Sequence, residues 1–348
     1  MRTVCVALLL AVGASAVPRL LAQPTPSPAL LVLSKTDHTL AIVDPATMNV
    51  VAKAPVGDDP HEVIASSDGH TAYVSNYGFG AFHTLAVIDL IHPAALPPID
   101  LGPLRGPHGL AFVDGKLWFT AEAAKAIGSY DPASAKIDWI MGTGQNRTHM
   151  LYVFPGAQRI VTTNVNSATV TILDKTNGPA GAPPAPPSGM RRLPGPPGGD
   201  WNETVIPVGR GSEGFDVSPD GKEAWVANAW DGTISVIDLG AKKVVATLDA
   251  HVSSANRIKF TPDGKLALVS LLNGPDVVIL DTATRKVIQH LPVGHGASGI
   301  LMQPDGARAY VSCGPDDSVA VIDLKTLKVV GRIHPGGNPD GLAWAVRR

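Results

Sequence analysis

The chain has 348 residues, of which 36 are Gly and 31 Pro; 45% are hydrophobic, 17% charged and 5% aromatic. Lys and Arg number 28 against 30 Asp and Glu, a net charge of -2. This balance excludes a coiled coil, a charge-rich disordered chain and a binder driven by a basic field, so no nucleic-acid partner is expected.

The chain opens on Arg2, an apolar run from Val4 to Val12, then Ala14-Ser15-Ala16 and Ala22. This pattern predicts a secretory signal over residues 1–22, cleaved near Ala16 or Ala22, leading into a linker at 23–29. The run is shorter than the ~20 apolar residues of a membrane span, and no later stretch approaches that length. The mature chain is therefore expected to be exported, to the periplasm or the cell surface, without a transmembrane span. With Cys5 inside the signal, Cys313 remains alone and is expected to pack as a small apolar residue in its strand.

From residue 30 onward one phrase recurs, as in Ile42-Val43-Asp44, Val236-Ile237-Asp238 and Val321-Ile322-Asp323. Its aspartates, at 44, 89, 131, 174, 238, 281 and 323, are separated by 45, 42, 43, 64, 43 and 42 residues. The period near 43 holds throughout once one insertion in the fourth unit is set aside, and it fits a blade of four strands. Each unit has a first strand, a tight turn such as Pro219-Asp220-Gly221, a second strand, and a third strand ending in the repeated aspartate. A fourth strand follows, as at Lys243 to Leu248; the aspartates are expected to cap the turns before it.

In the fourth unit the insertion occupies about 176–203, and between Gly178 and Gly199 it holds 14 Pro or Gly in 22 residues. It predicts a surface loop with polyproline-like stretches between the third and fourth strands. At the end of the chain, Gly341 to Val346 reads as an isolated first strand, while the first unit has only three. The expected fold is therefore an all-β, seven-bladed propeller over 30–348, closed by the C-terminal strand joining the first blade.

The phrases Ser218-Pro219-Asp220-Gly221-Lys222-Glu223-Ala224-Trp225-Val226-Ala227-Asn228 and Asp231-Gly232-Thr233-Ile234-Ser235-Val236-Ile237-Asp238 resemble the YVTN-repeat β-propellers of exported bacterial and archaeal proteins. The resemblance runs over all seven units, roughly from Leu30 to Val346. Unit three departs from it: Leu117-Trp118-Phe119-Thr120-Ala121-Glu122 is closer to the streptogramin-lyase-like propellers. The first likeness implies the fold and no single activity; the second keeps an enzymatic reading open.

The residue just before each expected first strand is His61, His108, His149, Glu213, Asn256, Ser298 or Asp340, repeating with the same period. First strands line a propeller's channel, so these seven positions are expected to form one ring at its mouth. Polar residues suit such a mouth with no cofactor at all. Yet His61, His108, His149 and Glu213 also offer imidazole and carboxylate donors for a divalent metal ion. Glu62, Arg147 and Arg257 flank the ring.

Loops between second and third strands are expected on the same face, carrying Tyr77, Phe79, Phe82 and His83, then Glu122 and Lys125, Asn164 and Asn166, and Asn228, Trp230 and Asp231. Of these, Tyr77, Asn228 and Trp230 join the ring as candidate ligand contacts. No phosphate loop, Gly-x-Ser-x-Gly elbow or Cys-x-x-Cys pair occurs in the sequence. The expectation is a monomeric scaffold that recognises a small molecule or a protein at the channel mouth. The alternative is a metal-assisted lyase or lactone hydrolase, with His83 or Glu122 as general base.

Overall fold

Each period of the sequence folds into one antiparallel sheet. The computed structural model describes residues 25–176 and 200–348, and within them are seven four-stranded sheets. The expected signal segment and nearly all of the Pro/Gly-rich insertion lie outside the described residues. The strands that flank that insertion, Thr169–Lys175 and Trp201–Pro207, pair as third and fourth of the fourth blade.

The first blade takes its innermost strand, Pro339–Ala345, from the end of the chain and pairs it with Ala29–Ser34. Ring closure is thus as the sequence predicts. The reason for the blade pattern is visible in burial. Middle strands such as Thr233–Asp238 are buried through their centres because neighbouring blades cover both faces. Outer strands such as Lys243–Asp249 alternate exposed and half-buried residues, since they have one covered face.

The described residues contain seven hydrophobic clusters, one between each pair of adjacent blades. The seam that closes the ring holds Leu30, Val32, Tyr310, Val319 and Val321, with Leu342 and Trp344 packed against them. Cys313 is buried and unpaired at the end of its strand, as expected for a small apolar residue.

Six of the seven repeated aspartates cap turns by accepting from backbone amides two or three residues on, as Asp44 does from Ala46 and Asp238 from Gly240 and Ala241. Asp174 is the exception. The chain leaves its strand into the insertion, and its carboxylate instead accepts from Arg159 at 2.6 Å and pairs with Lys242 at 2.5 Å.

The inner strands approach each other closely through glycine. A Cβ on Gly341 would stand 2.4 Å from the His61 carbonyl oxygen of the next blade, and one on Gly299 2.4 Å from that of Asp340. Gly341→Ala should therefore destabilise the protein by about 1–3 kcal/mol through overpacking. Urea unfolding is the measurement, and an unchanged midpoint would refute the close approach.

Candidate functional site

The seven ring residues occupy the second position of their inner strands rather than the position before them, as His61 does in Pro60–Ala65 and His149 in Thr148–Val153. The register of every inner strand shifts at this point, from Pro60 opposite Asn76 to Val63 opposite Val74 in the second blade. Such a β-bulge inserts a residue and re-aims the side chains around it. A left-handed residue comes two places earlier in each blade, and three of these, Asp59, Arg147 and Asn338, carry side chains of their own at the mouth.

A second ring lies against the first. The residue after each second strand donates its amide to the carbonyl of that left-handed residue, as in Lys35 to Asn338, Tyr77 to Asp59 and Glu122 to Gly106. Lys35, Tyr77 and Glu122 are therefore equivalent positions on consecutive blades. Hydroxyls from second strands also bind ring carbonyls in the next blade, Thr120 to His149 at 2.6 Å and Ser312 to Asp340 at 2.7 Å. The ring is thereby fixed by backbone and neighbour together.

All seven ring residues line one cavity of about 320 Å³, joined by Lys35, Arg147 and Arg257. Arg257 belongs to the sixth blade, yet its guanidinium pairs with Glu62 of the second, across the channel. Both sit one residue deeper than the ring, so their ion pair forms the floor of a cup. On the side of the sixth and seventh blades the wall is made of Leu272, Gly296, Ser298, Gly314 and Pro315. The opposite wall is charged and aromatic.

On that wall His108 and His149 are 3% and 1% exposed, with ring centroids 3.9 Å apart. His61 stands 5.0 Å from His108, centre to centre, and Tyr77 packs edge-on against both. Glu122 accepts a short hydrogen bond from His149 Nδ1 on one carboxylate oxygen. Its other oxygen accepts from the Tyr77 hydroxyl at 2.5 Å and lies 3.5 Å from Arg147 Nε. Arg147 also reaches Glu213 at 3.2 Å. Lys35 donates to His61 Nε2 at 2.8 Å and to Asp340 at 3.3 Å, with Asp59 3.6 Å away.

These contacts set the protonation states. Burial, reinforced by the neighbouring imidazoles and by Arg257 and Arg147, pushes His108 well below the ordinary histidine value. It is neutral, the form that offers a lone pair. Burial opposes the charge on Glu122, but hydrogen bonds from His149 and Tyr77 and the Arg147 charge outweigh it and hold the carboxyl below its usual range. Burial and then Glu122 push the Tyr77 phenol up, keeping it a donor. At Asp59 burial is likewise overcome, by the neighbouring His61 and the Lys35 ammonium, and the carboxyl sits at about 2.

The other candidates fall differently. His83 is exposed, pairs with Asp100 at 2.9 Å and is not among the residues lining the cup. Asn228 is buried, and its amide nitrogen donates to Thr233 at 2.9 Å and Ser235 at 3.0 Å, tying its blade together. Trp230 is 58% exposed and covers Gly211 at the rim. Among the described residues, the donor atoms that converge within 4.8 Å of one another are those of His108, Glu122 and His149. His61 and Glu213 stand beside this triad, the first engaged by Lys35 and the second by Arg147.

Fold and ring together define the class: a seven-bladed β-propeller with a polar cup at one end of its channel. No protein-family model and no curated protein matches the chain. Among solved structures it is similar to a functionally unknown protein from Desulfotomaculum acetoxidans, at 15% identity and a TM-score of 0.70 over 92% of this chain and 100% of that one. A proposed 6-phosphogluconolactonase from Bacteroides uniformis aligns at 13% identity and 0.70, covering 91% of this chain and 99% of that one. The hydrazine synthase of Kuenenia stuttgartiensis aligns at 16% and 0.67, covering 89% and 99%. At such identities the likeness is one of fold alone.

Proposed function

We propose that this chain is an exported propeller of the YVTN-repeat type that acts as a recognition scaffold and takes a small polar ligand into the channel-mouth cup. The observation that carries the reading is the polar cup itself. Ligand sites are concave spaces of roughly 300 Å³ and more, with a few convergent polar groups. Here a cavity of about 320 Å³ receives one side chain from every blade, and several buried polar atoms around it, on His108, His149, Asn256 and Ser298, lack a hydrogen-bond partner. Arg147 and Lys35, each already shared by two carboxylates, can still donate to a carbonyl or hydroxyl oxygen of a ligand, and Leu272 and Pro315 favour an apolar edge opposite.

The test is a thermal-shift screen of small carboxylates, phosphate esters and sugars against the mature protein. A ligand at 100 times its Kd stabilises the folded state by about 2.7 kcal/mol. At least one class should raise the melting temperature of the wild type and leave Ser298→Tyr, which fills the cup, unmoved. Equal shifts in both proteins, or none in either, would reject the cup as the recognition site. The second reading, a metal-assisted lyase or lactone hydrolase, is favoured by the His108, Glu122 and His149 cluster. Turnover of a lactone that disappears in Glu122→Gln would move the assignment to it.

A further inference from the structure

We propose that His108, Glu122 and His149 bind a divalent transition-metal ion of the zinc class at the side of the cup. The three residues come from two adjacent blades: two from inner strands, one from the turn after a second strand. Their donor atoms lie within 4.8 Å of one another, and all three side chains are buried. His108 Nδ1 and His149 Nε2 are buried without any hydrogen-bond partner, which is costly for a polar atom unless something fills the position.

Charge points the same way. Lys35 is shared by Asp59 and Asp340, Arg147 by Glu122 and Glu213, and Arg257 is matched by Glu62. Two carboxylates are thus left without a cation of their own, and one divalent ion makes up the difference. Two imidazoles with one carboxylate suit zinc and its neighbours, whereas magnesium and calcium take oxygen ligands. The surroundings also match how metal ligands are held: Tyr77 and Arg147 engage one oxygen of Glu122, and the other, turned to the histidines, accepts from His149 Nδ1 and so leaves Nε2 as that imidazole's lone-pair nitrogen. The open side of the ion would face the cup.

This inference does not depend on any organic ligand, so it and the recognition reading fail separately. The experiment is titration of chelator-stripped mature protein with Zn2+ against a chromophoric competitor. One equivalent should bind, and Mg2+ or Ca2+ should not compete. His108→Ala and the near-isosteric Glu122→Gln should each weaken binding by about 100-fold or more, and Tyr77→Phe, which removes a positioning hydrogen bond, by about 10-fold. His295→Ala, whose imidazole lies on the exterior beside Asp316, should leave it unchanged. Melting in chelator reports whether each variant is folded, and Co2+ added to the wild type gives a readout needing no variant. Visible absorption stronger than that of aqueous Co2+ supports a site with nitrogen ligands. Zn2+ affinity untouched by Glu122→Gln, or a Co2+ spectrum identical to the aqueous ion, would overturn the proposal.

Discussion

A chain ending at Asn338 should not form the native ring. The ten residues it lacks include the inner strand of the first blade, Pro339–Ala345, which pairs along Ala29–Ser34 with Ala345 opposite Ala29 and Leu342 opposite Val32. That strand closes two core seams at once. Ala343 and Ala345 belong to the cluster between the first and second blades, and Leu342 and Trp344 pack at the seam with the seventh. The Trp344 indole donates to Met302 at 2.8 Å, and the Asp340 carbonyl accepts from Ser312 at 2.7 Å. Without the strand, the edge of Ala29–Ser34 would be bare, and a bare edge recruits other chains. The expected result is loss of the cooperative thermal transition and rapid proteolysis, read by near-UV circular dichroism and limited trypsin digestion. Removing only Arg347 and Arg348 should leave the transition in place, because Arg347 makes peripheral contacts with Thr25 and Ser27. A truncated chain melting within a few degrees of the full one would refute closure as the source of stability.

The contrast between what the sequence discloses about fold and about site has a physical origin. Blade number, strand order and the closing strand follow from a periodic phrase, because each blade solves the same packing problem against the same neighbours. The ring at the mouth is also periodic, so seven equivalent positions, His61, His108, His149 and Glu213 among them, are expected around one mouth, and all seven line one cavity. What periodicity does not encode is how far a side chain reaches. Asn228 ends its second strand as Asn76 ends its own and turns into its blade, while Trp230 comes one place beyond the position Tyr77 holds and lies over the rim. Lys35 and Asp59 escape notice because neither belongs to the ring aligned from the sequence. Two further rows, the residue after each second strand and the left-handed residue two places before each ring position, have the same period and would have revealed both. The pairing of Glu122 with His149 joins two such rows and becomes visible when the rows are stacked in space.

The pair Arg257 and Glu62, 195 positions apart and on blades that are not neighbours, is a contact that no row of the repeat discloses, and it sustains the second large prediction. Arg257→Met should destabilise the protein by about 3–5 kcal/mol, because it leaves the Glu62 carboxylate at the bottom of the cup without its cation. Both side chains are largely shielded from water, at 7% and 15% exposure, so solvent cannot replace the lost partner. The double variant Arg257→Met with Glu62→Gln removes the charge as well as its counter-charge. It should recover most of the loss, since an apolar or neutral replacement of both members of a buried pair is often close to neutral. Urea unfolding of the single and double variants measures the difference. If the single substitution costs no more than the double, the pair does not hold the two sides of the channel together. If the order is as expected, the floor of the cup is an electrostatic bridge between opposite blades. The double variant, folded but with the bridge gone, would then show whether ligand binding requires the bridge across the channel.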